Sequence, residues 1–122
     1  MKEYIVKVYE DRTCWYNKDG KRHREDGPAV EWSNGYKEYY INGKRHREDG
    51  PAVEWANGYK AYYINEQRHN ENGPAVEWSN GDKEYYINGV ELTKKQFDNR
   101  NVKELNVGEI EKLLGYKVKI VK

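Results

Sequence analysis

One histidine recurs at a fixed place in three sequence units, as His23, His46 and His69. Imidazole is the side chain best suited to bind metal or move protons near neutral pH, and stacked copies would form a ladder able to hold an ion. Metal centres usually add thiolate or carboxylate ligands, and none is fixed beside these positions. Leu92 fills the same place after the last unit, so the histidines read as structural. A carboxylate pair, Glu31 facing Glu38, could raise one pKa and create a general acid. Its copies are Glu54 with Ala61 and Glu77 with Glu84, which gives no single specialised site. Cys14 is the only cysteine, so no internal disulfide can form and no C-x-x-C motif exists. It reads as a small apolar residue on a strand. No P-loop or dinucleotide fingerprint occurs. Catalysis needs one asymmetric constellation, whereas these groups are spread evenly along the chain. The expectation is a protein that is not an enzyme and that uses no metal or cofactor.

Tyrosine and arginine remain. Tyr36, Tyr40, Tyr59, Tyr63 and Tyr86 are expected on one wetter sheet face, with Arg22, Arg45 and Arg68 near them. Tyr and Arg are enriched in binding hot spots. The same set could stack nucleobases, or serve only as intramolecular cation–π packing. The candidate partner-binding residues are Tyr36, Tyr40, Arg45, Arg47, Tyr59, Tyr63, Arg68 and Tyr86.

These residues are positioned by an internal repeat. Lys21–Gly43, Lys44–Glu66 and Gln67–Gly89 are three 23-residue copies of one unit, and Trp15–Gly20 is a partial copy before them. Each unit carries two hairpin signals. Asn34-Gly35, Asn57-Gly58 and Asn80-Gly81 form the first; Asn42-Gly43 and Asn88-Gly89, with Asp19-Gly20, form the second. Asn-Gly suits a two-residue type I′ turn. Asn65-Glu66 interrupts the pattern, and because Glu disfavours positive φ that turn is expected to be wider or strained. Gly27-Pro28, Gly50-Pro51 and Gly73-Pro74 mark strand starts.

Two-residue turns set a register. Ser33 would face Tyr36, Trp32 would face Lys37, Glu31 would face Glu38 and Val30 would face Tyr39. Alternation then puts Val30, Trp32, Tyr39 and Ile41 on a buried face and Ala29, Glu31, Tyr36, Glu38 and Tyr40 on a wet one. The second turn would pair Tyr40 with Arg45, Tyr39 with His46 and Glu38 with Arg47. In the next unit Ala61 replaces the acid and Asn70 the base, as a cross-strand charge pair would require.

The expected fold is mainly β: an elongated, twisted antiparallel sheet of tandem hairpins over 1–92, with an N-terminal strand cap at 1–14. A C-terminal helix-helix-strand cap follows at 93–122. Thr93-Lys94-Lys95-Gln96 has capping-box spacing for a helix to about Arg100. Asn106 begins a second N-cap signal, with Ile110, Leu113 and Leu114 as an apolar stripe and Gly115 as its stop. Tyr116–Val121 reads as a strand. Strand-like Tyr4–Tyr9 opens the chain.

Composition limits the function classes. Mean hydropathy is −1.25 and 35% of residues are charged, values that alone would suggest disorder. The 12 Tyr and 4 Trp argue against it, because they bury a large apolar body while keeping one polar atom near water. Net charge is +1, without the basic excess usual in nucleic-acid binders. Met1–Lys7 lacks an apolar signal core, and no run approaches the ~20 apolar residues of a membrane span. A cytoplasmic protein is expected.

The units resemble the MORN repeat in its variant form, found in bacterial and phage proteins and in antitoxin-type components. The resemblance is carried by Tyr40-Ile41-Asn42-Gly43-Lys44, by Asp49-Gly50 and by Asn57-Gly58-Tyr59, and covers roughly Trp15 to Gly89. It implies stacked hairpins in an extended twisted sheet that serves as a protein-binding or lipid-associated scaffold. His-Arg-Glu-Asp-Gly-Pro-Ala replaces the standard glycine pattern, which weighs against lipid binding. The expected function is a non-catalytic protein-binding module. An inhibitor of the phage, antitoxin or anti-CRISPR type would act by steric occlusion of a bacterial effector or toxin. RNA or nucleotide binding, or edge-to-edge homo-oligomerisation, are the alternatives.

Overall fold

A computed structural model describes residues 3–100 and 107–115. The fold is mainly β, with antiparallel hairpins and two short helices near the C-terminus. The opening strands are β1 (Ile5–Val8) and β2 (Arg12–Tyr16). The first unit supplies β3 (Val30–Trp32), β4 (Lys37–Glu38) and β5 (Tyr40–Ile41), and β6 (Lys44–Arg45) opens the second. The second continues with β7 (Val53–Glu54), β8 (Lys60–Ala61) and β9 (Tyr63–Ile64), and β10 (Gln67–Arg68) opens the third. The third continues with β11 (Val76–Glu77) and β12 (Lys83–Ile87), and β13 (Val90–Leu92), α1 (Lys94–Asn99) and α2 (Val107–Leu114) follow it.

In the first two units the two hairpins go to different rows, whereas in the third β12 runs through both and β12-β13 closes the main sheet. The first hairpins join one nine-stranded sheet in the order β1-β2-β3-β4-β7-β8-β11-β12-β13, while β5-β6 and β9-β10 stand as two-stranded pairs. Backbone bonds stitch this second row together: the N–H groups of Gly43, Glu66 and Gly89 donate to the carbonyls of Arg22, Arg45 and Arg68 at 2.8, 2.9 and 2.9 Å. Tyr39 is a pivot between the rows. Its N–H donates to Ala52 in the next unit at 2.7 Å, and its carbonyl accepts from His46 at 3.1 Å. Trp15 and Tyr62 make the same pair of bonds.

The two Asn-Gly signals close differently. At the second signal Asn42 and Gly43 both have positive φ, +49° and +81°, and Tyr40 faces Arg45, as expected of a type I′ turn. The first signal was expected to do the same and does not. Gly35 has φ +93° while Asn34 stays in the ordinary region. Gly35 N–H donates to the Trp32 carbonyl at 3.0 Å, and Trp32 N–H donates to Tyr36 at 2.9 Å. The loop is therefore the three residues Ser33-Asn34-Gly35, a common hairpin connection with glycine in the left-handed position. Asn34 Oδ1 accepts the Tyr36 N–H at 3.0 Å, and the loops at Asn57 and Asn80 repeat this bond.

The residue before Asn accounts for the choice. Ser33, Ala56 and Ser79 accept helical φ/ψ and enter the loop. Ile41, Ile64 and Ile87 are β-branched and stay in the strand. Asp19-Gly20, preceded by Lys18, also forms a three-residue loop, closed by Asn17 N–H to Lys21 at 2.8 Å.

The register is thus one residue away from the expected one. Val30 faces Glu38 and Glu31 faces Lys37, so Glu31 and Glu38 are not a pair. A one-residue slip moves a strand's side chains to the other face. Val30 and Trp32 therefore share a face with Tyr36, Glu38 and Tyr40, and the expected division into a buried Val/Trp face and a wet Tyr/Glu face is corrected. Core residues lie on both sides. Cys14, Val30, Val53, Ala61 and Val76 are buried on one; Ala29, Ala52 and Ala75 are fully buried on the other.

Two further expectations resolve. Glu66 keeps the two-residue turn with φ +68°, strained by roughly 1–2 kcal/mol but no wider. Its carboxylate accepts from the Arg45 N–H at 2.6 Å and pairs with the Arg45 guanidinium at 3.1 Å. The Glu38–Arg47 charge pair does not form. Instead the Arg47 guanidinium curls over its own loop, bonding Asp49 at 3.0 Å, the Pro51 carbonyl at 3.1 Å and Glu54 at 3.3 Å. It stacks on Tyr39 at 4.0 Å, as Arg24 stacks on Trp15 at 3.9 Å.

Each histidine bonds a turn through Nδ1, and, contrary to expectation, a carboxylate is fixed beside each Nε2: Glu25, Glu48 and Glu71 at 3.7, 3.4 and 3.7 Å. Nδ1 of His23, His46 and His69 accepts the N–H of Asn42, Asn65 and Asn88 at 2.9, 3.0 and 2.9 Å, tying each unit's start to its closing turn. Both ends are finished by other elements. Tyr4 packs edge-on against Trp15 at 5.2 Å. The α1 helix has the expected capping box at Thr93 and Gln96, and Phe97 stacks on Tyr85 at 4.8 Å. Gly115, at φ +76°, follows α2. The strand expected at 116–121 lies outside the described residues.

The arginine lid crowds the loop glycine in the first two units. A Cβ on Gly50 would sit 2.9 Å from the Arg47 guanidinium carbon, whereas one on Gly73 meets only Asn70 at 3.8 Å. Gly50→Ala should destabilise the chain by about 1 kcal/mol, and Gly73→Ala should be neutral or stabilising by about 0.5 kcal/mol through the unfolded state. Urea denaturation checks this. The Gly50→Ala penalty should disappear in an Arg47→Asn background; an undiminished penalty would show that the guanidinium is not its cause.

Candidate functional site

The three-residue loops place aromatic rings in a continuous row. Trp32, Tyr36, Trp55, Tyr59 and Trp78 follow one another with ring centroids 6.4, 5.6, 4.9 and 4.8 Å apart. Their planes are tilted or edge-on, the arrangement that ring quadrupoles favour. Trp55 and Trp78 remain 45% and 43% exposed. The row ends where Asp82 takes the place of a third tyrosine. Beside it lies an apolar pocket of about 400 Å³, lined by Asn34, Tyr36, Trp55, Ala56 and Asn57.

A second row lies deeper on the same face. The Arg22, Arg45 and Arg68 guanidiniums sit over Tyr40, Tyr63 and Tyr86 at 5.5, 5.3 and 5.3 Å. Arg68 donates to the Tyr63 and Tyr86 hydroxyls at 3.3 and 3.2 Å. Burial works against its charge, but these bonds outweigh that and hold its pKa above the ordinary value. Tyr40 and Tyr63 are only 7% and 9% exposed. The Arg/Tyr row is thus spent largely on holding hairpins together.

The eight candidate residues therefore separate. Tyr36 and Tyr59 belong to the aromatic row. Tyr40, Arg45, Tyr63, Arg68 and Tyr86 form the inner row, and Arg47 lies over Tyr39 on the opposite face. Trp32, Trp55 and Trp78 were absent from the candidates because the two-residue turn put them on the buried side. The signal that places them outside is the Ser or Ala preceding each first Asn-Gly.

On the Arg47 face, grooves of about 780 and 650 Å³ lie between successive Glu-Asp-Gly-Pro-type loops. Among the described residues no group of three or more His, Cys, Asp or Glu is placed to hold a metal, and no helix is long and apolar enough to cross a membrane.

Glu38 links the two rows. Its carboxylate accepts from the Tyr36 hydroxyl, and from Tyr40 at 3.1 Å. Burial, reinforced by this carboxylate, pushes the Tyr36 pKa up to about 12. Folding thus favours the neutral phenol. The stabilisation is fully present below the ordinary tyrosine value of about 10 and is lost as pH rises from there towards 12. Alkaline titration followed by tyrosinate absorbance and unfolding should show this, and Tyr36→Phe should flatten the stability decline in that window. An unchanged decline would contradict the assignment. The chain matches no family model, no curated protein and no solved structure.

Proposed function

We propose that this chain is a non-catalytic protein-binding module whose contact surface is the Trp32–Trp78 aromatic row. The observation that carries this reading is the exposure of Trp55 and Trp78 within a stacked, uncharged row on a hydrogen-bonded repeat. Large aromatic side chains dominate binding hot spots, and rings already ordered against one another lose little further freedom on binding. The resemblance to MORN-type units, whose arrays serve as protein scaffolds, supports the same reading. A rigid continuous row suits steric occlusion of a partner, the action expected of an inhibitor. The inner arginines bond tyrosine hydroxyls and Glu66, which favours protein contact over a phosphate-binding role.

Capture from host lysate with the full chain as bait tests the reading. Trp55→Ala and Trp78→Ala should each weaken partner binding by about 2 kcal/mol, roughly thirtyfold, and salt should change affinity little. Retention of the partner by both variants would overturn the proposal. So would capture of RNA whose binding falls steeply with salt, the mark of phosphate neutralisation.

A further inference from the structure

The first two units each hold a guanidinium in the same way. Arg24 stacks on Trp15 at 3.9 Å, bonds Asp26 at 3.0 Å and the Pro28 carbonyl at 3.2 Å, and faces Glu31 at 3.8 Å. Arg47 stacks on Tyr39 at 4.0 Å and bonds Asp49, the Pro51 carbonyl and Glu54 at 3.0, 3.1 and 3.3 Å. A flat face on a ring with a polar edge on carboxylate and carbonyl suits guanidinium better than ammonium.

The third unit keeps the ring and a carboxylate but replaces the arginine. Tyr62 makes the backbone bonds of Trp15 and Tyr39, and Glu77 is the counterpart of Glu31 and Glu54. Asn70 stands where Arg24 and Arg47 do. Its amide closes the loop by donating to the Pro74 carbonyl at 2.9 Å, but asparagine has neither the charge nor the planar fork that Arg47 lays on Tyr39 and Glu54. Among the described residues no ring or cation is stacked on Tyr62, and Glu77 has no ion pair. Tyr85, next in the row, is covered by Phe97.

A groove results. The space of about 780 Å³ between the second and third loops is lined by Tyr62, Pro74 and Glu77. The groove beside Tyr39 is about 650 Å³, and its lining includes neither Pro51 nor Glu54, both bonded by Arg47. Pro28 and Pro51 are buried, whereas Pro74 is half-buried. A Cβ on Gly27 or Gly50 would meet a guanidinium carbon at 2.9 Å, while one on Gly73 meets only the Asn70 amide at 3.8 Å.

Charge favours the same ligand. The larger groove carries Glu48, Asp49, Glu71 and Glu77 against Arg47. Asp49 is bonded to Arg47, and Glu48 and Glu71 lie beside His46 and His69, which leaves Glu77 to pair with a cation from outside. Lys60 and Lys83 flank Glu77 across the strands. Lys37 and Lys60 flank Glu54 likewise, and Glu54 holds its arginine regardless. Asn72 stands where Asp26 and Asp49 do, so this site offers one carboxylate fewer than its two counterparts.

We propose that this groove receives an arginine side chain from a partner polypeptide, its guanidinium stacked on Tyr62 and paired with Glu77. The site lies on the face opposite the aromatic row and goes beyond the reading of that row.

The test titrates the nitrogen-15-labelled full chain with capped Gly-Gly-Arg-Gly-Gly, with the same peptide carrying citrulline or lysine in place of arginine, and with methylguanidinium. Amide shifts of Asn70, Gly73 and Glu77 report the groove, and Gly27 reports a site already filled from within. The arginine peptide should saturate at millimolar concentration, about threefold or more tighter than lysine, with no saturation by citrulline and little shift at Gly27. Asn70→Arg, which copies the preceding units and should fold as they do, is expected to abolish binding. Glu77→Gln should weaken it about fivefold or more, and Trp55→Ala should leave it unchanged.

The proposal is overturned if the arginine peptide fails to saturate, if citrulline or lysine matches it, if Gly27 shifts as much as Gly73, or if Asn70→Arg leaves binding intact. Saturation by methylguanidinium without the peptide would assign the groove to a free guanidinium compound and overturn the partner arginine. Loss of peptide binding in Trp55→Ala would move the contact to the aromatic row and overturn it too. Failure on any other count leaves the aromatic-row reading to its own test.

Discussion

A three-residue loop sets the arrangement of this molecule. Each first Asn-Gly places only its glycine at positive φ, with the preceding Ser or Ala drawn into the turn. The opposing strands consequently pair Val30 with Glu38 and Glu31 with Lys37. With period-two alternation, that single residue of register puts the tryptophans, valines and inner tyrosines on one face. A two-residue turn at the same place would put Trp32 and Tyr36 on opposite faces and dissolve the outer aromatic row.

The resulting sheet is held together without a thick apolar core. Its buried residues are small, chiefly Ala and Val with Cys14, and larger rings lean over them. Arginine covers several of those rings: Arg24 on Trp15, Arg47 on Tyr39, and Arg22, Arg45 and Arg68 on the inner tyrosines. A guanidinium stacks its flat face on a ring while its edge satisfies carbonyls and carboxylates. The hydrophilic composition and the folded state are compatible for this reason. Each ring buries carbon, and Arg24, Arg47 and Arg68 keep polar edges bonded. The three histidines accept turn amides through Nδ1, a role that leucine at position 92 need not repeat after the last turn.

Much of this was legible in the residues. The 23-residue period, the type I′ turns at Asn42-Gly43 and Asn88-Gly89, the capping box at Thr93 and the helix before Gly115 all follow from local preferences. The first hairpin departs from the two-residue expectation because Asn-Gly serves two loop lengths, and the choice lies with its neighbour: Ile41 resists a helical conformation, whereas Ser33 accepts one. The loss of both Glu38 and Arg47 in the next unit, at Ala61 and Asn70, looked like a charge pair. The two side chains in fact serve different partners, Glu38 joining Tyr36 and Tyr40 while Arg47 closes its own loop. The chemistry of Tyr40 and Tyr63 suits contact residues, yet cross-row packing, a long-range effect, buries them. The tryptophans, expected on the buried face, line the aromatic row, where Trp55 and Trp78 are exposed.

Register is the claim on which the candidate surface stands, and cross-strand Hα–Hα nuclear Overhauser effects read it directly. Contacts are predicted between Glu31 and Lys37, Glu54 and Lys60, and Glu77 and Lys83, the non-hydrogen-bonded pairs of the observed sheet. Contacts instead between Trp32 and Lys37, or between Val30 and Tyr39, would restore the two-residue turn and contradict the account.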